Sequence, residues 1–102
     1  MSCTMRAYLP EGTDHSAIQD MMLAEGGFTT FSGQGWWYNG DTGTLVSEKV
    51  IVYECITNYP AAGAKIRLTH AGRTFLNDNR REQAFLGVAH GDTHERIYLE
   101  QK

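Results

Sequence analysis

The chain has 102 residues, 41% hydrophobic and 21% charged, with a formal net charge of −3 at pH 7. This composition is typical of a single globular domain over residues 1–102, because two cores of about 50 residues each would be marginally stable. The acidic balance argues against nucleic-acid binding, which needs clustered Lys and Arg. No run of about 18 apolar residues could span a bilayer, so we expect no membrane partner.

The N-terminus and the cysteines bear on the compartment. The first ten residues contain no apolar signal core, so we expect the protein in the cytoplasm. Cys3 and Cys55 are too few for a disulfide framework and predict two reduced, buried thiols in neighbouring strands. Gly33-Gln-Gly35 is not a phosphate loop, since it lacks the lysine and the following helix, and the sequence leaves any cofactor unknown.

The N-terminal quarter predicts a strand followed by a helix. Residues Cys3 to Leu9 alternate between apolar and polar side chains, the period of a half-buried strand. Thr13 or Asp14 offers an N-cap oxygen for a helix over Ser16 to Glu25. A pair of glycines then ends the helix, because glycine adopts left-handed conformations cheaply.

The stretch from Gly33 to Asn58 predicts one long β-hairpin. Asn39-Gly40 supplies the positive φ angles of a tight turn, and Gly43 allows a bulge or a slightly longer loop. Val50 begins a β-branched and aromatic run that makes the returning strand.

The C-terminal half predicts a helix and two strands. Pro60 suits the first turn of a helix, and apolar residues spaced by three and four continue the helix to about Asn77. Gly63 and Gly72 within the helix would let it approach the sheet closely. A strand from Gln83 to Ala89, a loop over residues 90–94 and a short strand over residues 96–99 follow.

The order of elements predicts an α+β protein with the ferredoxin-like βαββαβ fold. A four-stranded antiparallel sheet would carry both helices on one face, with a short extra strand at the C-terminus. The strands that begin near Val50 and Phe85 are apolar on both faces, so the helix-free face needs a cover. We therefore expect a homo-oligomer, a trimer or otherwise a dimer.

The hairpin resembles that of CutA-type divalent-cation tolerance proteins. The similar residues are Gly35-Trp-Trp-Tyr-Asn-Gly, then Glu48, then Val-Ile-Val-Tyr, about 25 residues in all. A family of small bacterial proteins with a Gly-x-Gly-x-Trp hairpin is similar in the same place. The resemblance implies a ferredoxin-like domain, and CutA and the related PII signalling proteins assemble as trimers with sites between subunits. The N-terminal cysteine segment of CutA has no match here.

The hairpin also predicts a binding surface. Trp36 and Trp37 point to opposite faces of an extended strand, so both cannot enter one core. Exposed aromatic side chains beside glycines suit contact with a small ligand or a protein partner. The predicted binding residues are Gly33, Gly35, Trp36, Trp37, Tyr38 and Asn39. The leading hypothesis is a non-enzymatic binding or regulatory protein, with an inhibitor carried by a mobile element as a variant.

An enzyme is the alternative from another class. Glu54, Tyr53, His70 and Trp36 would supply acid–base or orienting groups in a pocket between sheet and helices, as in a cofactor-free monooxygenase or an isomerase. Glu54 also has a structural interpretation, in which it pairs with Arg6 across the sheet.

The C-terminal loop offers a metal hypothesis. An extended backbone would place His90, Asp92 and His94 on one side, and imidazole and carboxylate groups suit zinc, nickel or copper. The competing interpretation is a solvated turn.

The apolar strand faces give a testable expectation about assembly. Light scattering at micromolar concentration should report two to three times the chain mass of 11.4 kDa, because covering the helix-free face removes apolar surface from water. A mass near that of one chain would contradict it.

Overall fold

The structure is a computed structural model that describes residues 2–80 and 82–100. These residues form two helices and five strands, and the strands make one antiparallel sheet in the order β2-β3-β1-β4-β5. The elements are β1 (Cys3–Pro10), α1 (Ser16–Ala24), β2 (Thr29–Tyr38), β3 (Leu45–Thr57), α2 (Ala61–Asp78), β4 (Gln83–His90) and β5 (Thr93–Glu100).

The α+β class and the antiparallel sheet are confirmed, and the strand order is compatible with the ferredoxin-like arrangement. The C-terminal region differs from the prediction, because β5 is a full strand of eight residues. Gly91 has a φ of 57°, which allows a tight turn in which His90 pairs with Thr93. The expected loop over residues 90–94 is therefore mostly strand.

The core lies between the sheet and the helices. Alternation in β1 sends Cys3, Met5, Ala7 and Leu9 toward the helices, where all four are buried. The largest fully buried side chains from the helices are Ile18, Met22, Leu68 and Phe75. Both cysteines are free and buried, as predicted. Burial raises the pKa of both thiols, which disfavours the reactive thiolate.

A hydrogen-bonded histidine fixes the start of α1. The N-cap residue is His15, and neither Thr13 nor Asp14 takes that position. His15 Nε2 donates to the Pro10 carbonyl oxygen at 2.9 Å, since a carbonyl can only accept; in the neutral imidazole Nδ1 then accepts from the Tyr53 hydroxyl at 2.9 Å. Gln19 donates to the same hydroxyl at 2.8 Å. These bonds tie α1 to the end of β1 and to β3.

The β2–β3 hairpin extends past the end of β1. Pro10, the last residue of β1, is opposite Val50, so residues 45–49 of β3 pair with β2 alone. The connection spans residues 39–44, longer than a tight Asn39-Gly40 turn, and the positive φ lies at Gly43. The Gly43 amide donates to the Asn39 carbonyl at 2.8 Å and closes the loop.

The two helix glycines differ in their surroundings. A Cβ at Gly72 would lie 2.8 Å from Leu99 Cδ1 and 2.9 Å from Leu86 Cδ1, so this glycine allows the close approach of α2 to the sheet. The atoms nearest to a Cβ at Gly63 would belong to Tyr59 and Pro60, at 3.4 Å or more. The predicted close approach is confirmed at Gly72 and does not involve the sheet at Gly63.

Alanine substitutions at Gly72 and Gly63 test the close approach through their effects on stability. Overpacking costs about 1–3 kcal/mol, and an Ala in place of a helical Gly gains up to about 1 kcal/mol. We expect Gly72→Ala to lower the free energy of unfolding by about 1 kcal/mol, since both leucines are buried. Gly63→Ala should leave it unchanged or raise it. Urea unfolding measures both, and equal effects would contradict the close approach.

Candidate functional site

A groove of about 570 Å³ lies on the helix-free side of the sheet, between the extended hairpin and the start of β4. We call it the main groove. Its lining residues are Tyr8, Pro10, Gly33, Gln34, Gly35, Trp36, Trp37, Glu48, Val50, Val52, Glu82, Gln83 and Phe85.

Two glycines of β2 keep part of the main groove open. Gly33 and Gly35 pair with Val50 and Glu48 of β3 and have no side chains to cover them. A Cβ at Gly33 would lie 3.6 Å from the nearest Val50 methyl, which is ordinary contact. An alanine therefore fits the backbone there while taking up groove volume.

Aromatic side chains form the walls. Tyr8 of β1 and Phe85 of β4 are cross-strand partners, and both line the main groove. Trp37 alternates to the same face as Gly33 and Gly35 and is 37% exposed, whereas Trp36 alternates to the other face and is 63% exposed. The prediction that one tryptophan is exposed therefore applies to both.

A second space adjoins the main groove. This outer hollow has a volume of about 530 Å³ and shares Trp37, Gln83 and Phe85 with the main groove. Its other lining residues are Tyr38, Asn39, Gly40 and Tyr98. The hairpin tip and the first residues of β4 thus enclose a continuous, two-part surface.

The main groove carries negative charge. Glu48 and Glu82 both line it, and none of its described lining residues is Lys, Arg or His. Partial burial raises the pKa of the Glu48 carboxyl, and the negative charge of Glu82 raises it further. Such a site favours a cationic ligand, because a positive charge relieves the repulsion between the carboxylates.

Glu54 has the structural role that the sequence suggested. Arg6 Nε lies 2.8 Å from Glu54 Oε2, and the two residues are cross-strand partners. The hydrogen bond to Glu54 raises the pKa of the Arg6 guanidinium. Glu54 therefore lies on the same sheet face as the main groove but outside its lining.

The structure places the six predicted binding residues around the two spaces. Gly33, Gly35 and Trp36 line the main groove, Tyr38 and Asn39 line the outer hollow, and Trp37 lines both. Their role in binding stays a prediction.

The residues suggested for the alternative enzyme site are not brought together. Tyr53 is buried on the helix side and bonded to His15, Glu54 lies on the opposite face, and His70 is exposed on α2. The space between sheet and helices, where that pocket was expected, is filled by the core.

The residues of the metal hypothesis are not brought together either. His90 is opposite Thr93 and His94 is opposite Ala89, so the two imidazoles belong to opposite faces of the sheet. Among residues 2–80 and 82–100, no group of three metal-binding side chains is formed. The prediction assumed one extended loop, whereas the chain reverses direction at Gly91.

Sequence reasoning did not identify most of the residues that line this site. Tyr8, Glu82, Gln83, Phe85 and Tyr98 were not proposed as site residues, and Glu48 entered only through the resemblance. Strand alternation puts Tyr8 and Phe85 on the helix-free face, which was the available signal. The meeting of the hairpin with β4 depends on tertiary structure.

Comparison with known proteins identifies the fold. No protein-family model matches the chain, and no curated protein sequence matches it significantly. Two solved structures are similar, and both are phage SAM lyases. The one in complex with S-methyl-5′-thioadenosine has a TM-score of 0.72 and 9% identity, over 98% of this chain and 90% of that chain. The apo-state structure has a TM-score of 0.58 and 14% identity, over 99% and 90%.

The comparisons correct the functional hypothesis. We expected a non-enzymatic binding protein, but the similar structures are enzymes, and neither belongs to the PII or CutA families. The error came from treating the aromatic hairpin tip as an isolated contact surface, whereas it borders a groove.

Within the described residues, no helix is long and apolar enough to cross a membrane.

The raised pKa of Glu48 predicts a pH-dependent effect on stability. Its carboxyl binds a proton more tightly in the folded chain, so ionisation of Glu48 disfavours folding as the pH rises above the ordinary carboxyl range. Glu48→Gln should raise the midpoint of thermal unfolding slightly at pH 7 and leave it unchanged below about pH 4.

Glu54→Gln is the matched control on the same strand face. It removes the ion pair with Arg6, which is partly exposed and contributes about 0–1 kcal/mol to the free energy of unfolding. The midpoint of thermal unfolding at pH 7 should therefore stay the same or fall slightly. A loss of stability in Glu48→Gln at pH 7 would contradict the electrostatic account of the main groove.

Proposed function

We propose that this protein is an enzyme that cleaves S-adenosylmethionine or a closely related nucleoside sulfonium without water, releasing S-methyl-5′-thioadenosine. The observation that carries the proposal is the main groove, which combines aromatic walls with two carboxylates. The fold likeness to a phage SAM lyase in complex with S-methyl-5′-thioadenosine supports it. We also propose that the domain is ferredoxin-like, with β5 as an additional strand beside β4.

The substrate's charge matches the main groove. The sulfonium of S-adenosylmethionine is a cation, and Tyr8, Trp37 and Phe85 offer aromatic faces that attract cations. Glu48 and Glu82 add a coulombic attraction. The thioether product is neutral and loses both attractions, so the site would bind substrate in preference to this product.

The chemistry needs few protein groups. When the bond between sulfur and the aminobutyryl carbon breaks, the electron pair goes to sulfur and the sulfonium becomes a neutral thioether. The substrate's own carboxylate can form the new C–O bond at that carbon and give a lactone, so that no external proton donor or acceptor is required. The groove then has to fold the substrate for attack and exclude water.

This mechanism gives Glu48 an electrostatic role. Its carboxylate would hold the sulfonium in the ground state, while the aromatic walls limit access of water. Replacing Glu48 should therefore weaken substrate binding and raise KM. A proton-abstracting role would instead make the loss appear in kcat.

The proposed assembly is a homo-oligomer, a trimer or otherwise a dimer, formed on the helix-free face. Phe31 and Ile56 support it, since both are exposed on that face and lie outside the main groove. A second copy covering this end of the face would leave the groove end as the site of ligand entry.

The activity test is direct. Purified protein is incubated with S-adenosylmethionine at neutral pH, and S-methyl-5′-thioadenosine is quantified by chromatography and mass spectrometry. We expect release well above the spontaneous rate measured with heat-denatured protein. Release no faster than that background would overturn the proposal.

A groove-filling variant ties the activity to the main groove. Gly33→Ala adds one methyl where the backbone tolerates it. Because this methyl takes up groove volume, we expect kcat/KM to fall about tenfold. Ser32→Ala, on the opposite face of the same strand, is the control and should match wild type. Equal activity in both variants would place the reaction elsewhere.

A further inference from the structure

The outer hollow is not needed for the sulfonium chemistry, yet it adjoins the main groove and has lining residues that the groove lacks, among them Tyr98. We propose that it is the nucleobase subsite of the same enzyme, where a purine stacks on Tyr98 and Phe85 and Gln83 recognises the edge of the base. This inference rests on the proposed function and assigns the part of the substrate that is remote from the reacting bond.

The stacking surface comes from a cross-strand aromatic pair. Phe85 of β4 and Tyr98 of β5 are opposite each other, with ring centroids 4.9 Å apart and planes tilted by 45°. They are 45% and 48% exposed, so about half of each residue is accessible to a ligand. Trp37 and Tyr38 of the hairpin add to the aromatic lining of the hollow. A flat heteroaromatic base is the ligand that such a surface favours, because every base presents a π-face.

The polar lining suits a base edge. Gln83 lines both the hollow and the main groove, and a primary amide can pair with adenine at N6 and N7 by one accepted and one donated hydrogen bond. Asn39 has a different task, since its Oδ1 accepts from the backbone amide of Asp41 at 2.9 Å and shapes the hairpin loop. Gln83 is therefore the amide that we assign to recognition.

The two spaces match the two ends of a nucleoside sulfonium. Glu48 and Glu82 line the main groove and do not line the hollow, whereas Tyr98 lines the hollow and not the main groove. Trp37, Gln83 and Phe85 border both spaces, so the ribose that links base and sulfur would lie beside them.

The test uses probes that separate base from sulfonium. S-methyl-5′-thioadenosine carries the base without the charge, and S-methylmethionine carries the charge without the base. Calorimetric titration of Tyr98→Leu should show about tenfold weaker binding of the nucleoside and unchanged binding of S-methylmethionine. Tyr98→Phe keeps the ring and loses only the hydroxyl that donates to Glu100, so it should match wild type.

A second variant, Gln83→Leu, tests specificity for the base and leaves the Tyr98 ring in place. The wild type should prefer S-methyl-5′-thioadenosine over its hypoxanthine analogue, which replaces the N6 amino group with an oxygen. Gln83→Leu should abolish that preference, because the exposed side chain contributes recognition and little packing. Thermal unfolding of each variant verifies that the chain is folded.

The outcomes separate this inference from the proposed function. If the wild type binds the nucleoside, Gly33→Ala weakens it and Tyr98→Leu does not, the subsite assignment is overturned while the function stands. Equal weakening of both probes by Tyr98→Leu also overturns it, since Tyr98 would then support the whole groove. If the wild type neither binds the nucleoside nor cleaves S-adenosylmethionine, the proposed function fails and the subsite with it.

Discussion

The end of β1 at Pro10 is the constraint on which the site depends. Proline has no amide hydrogen to donate, and the bonding of β1 to β3 ends one residue later, where the Glu11 amide donates to the Lys49 carbonyl at 3.0 Å. The β2–β3 hairpin continues without a neighbour on that side, while β4 begins on the other side of β1. The main groove lies in this gap, so the length of one central strand positions the whole candidate site.

The two faces of the sheet divide the tasks of stability and binding. The helix side holds the core and the His15–Tyr53 bonds, and its close packing is apparent where Gly72 meets Leu86 and Leu99. The helix-free side holds glycines, exposed aromatic rings and carboxylates, which contribute less to folding. Glu48 is a direct example, because its charged form is disfavoured in the folded chain. A carboxylate whose pKa is raised by its surroundings in a groove is typical of a site selected for binding rather than for stability.

Charge and aromatic surface are distributed unevenly along the site, so its two ends differ. Carboxylates line the inner part, and a cross-strand aromatic pair with Gln83 lines the outer part. Attraction for a cation and stacking of a base are independent forces, so under the proposed function one elongated ligand would be held at both ends, with the reacting bond between them. The proposed reaction would then depend on positioning more than on proton transfer.

The sequence by itself determined the elements, because alternation, helical spacing and glycine positions are local properties. It predicted both helices, the antiparallel sheet and the Arg6–Glu54 pair. Only the tertiary structure decided that the hairpin meets β4, that Tyr8, Gln83 and Phe85 join the glycines, and that Gly91 separates His90 from His94. The physical reason is that strand order, strand length and turn geometry bring distant residues together, and no local pattern encodes those distances.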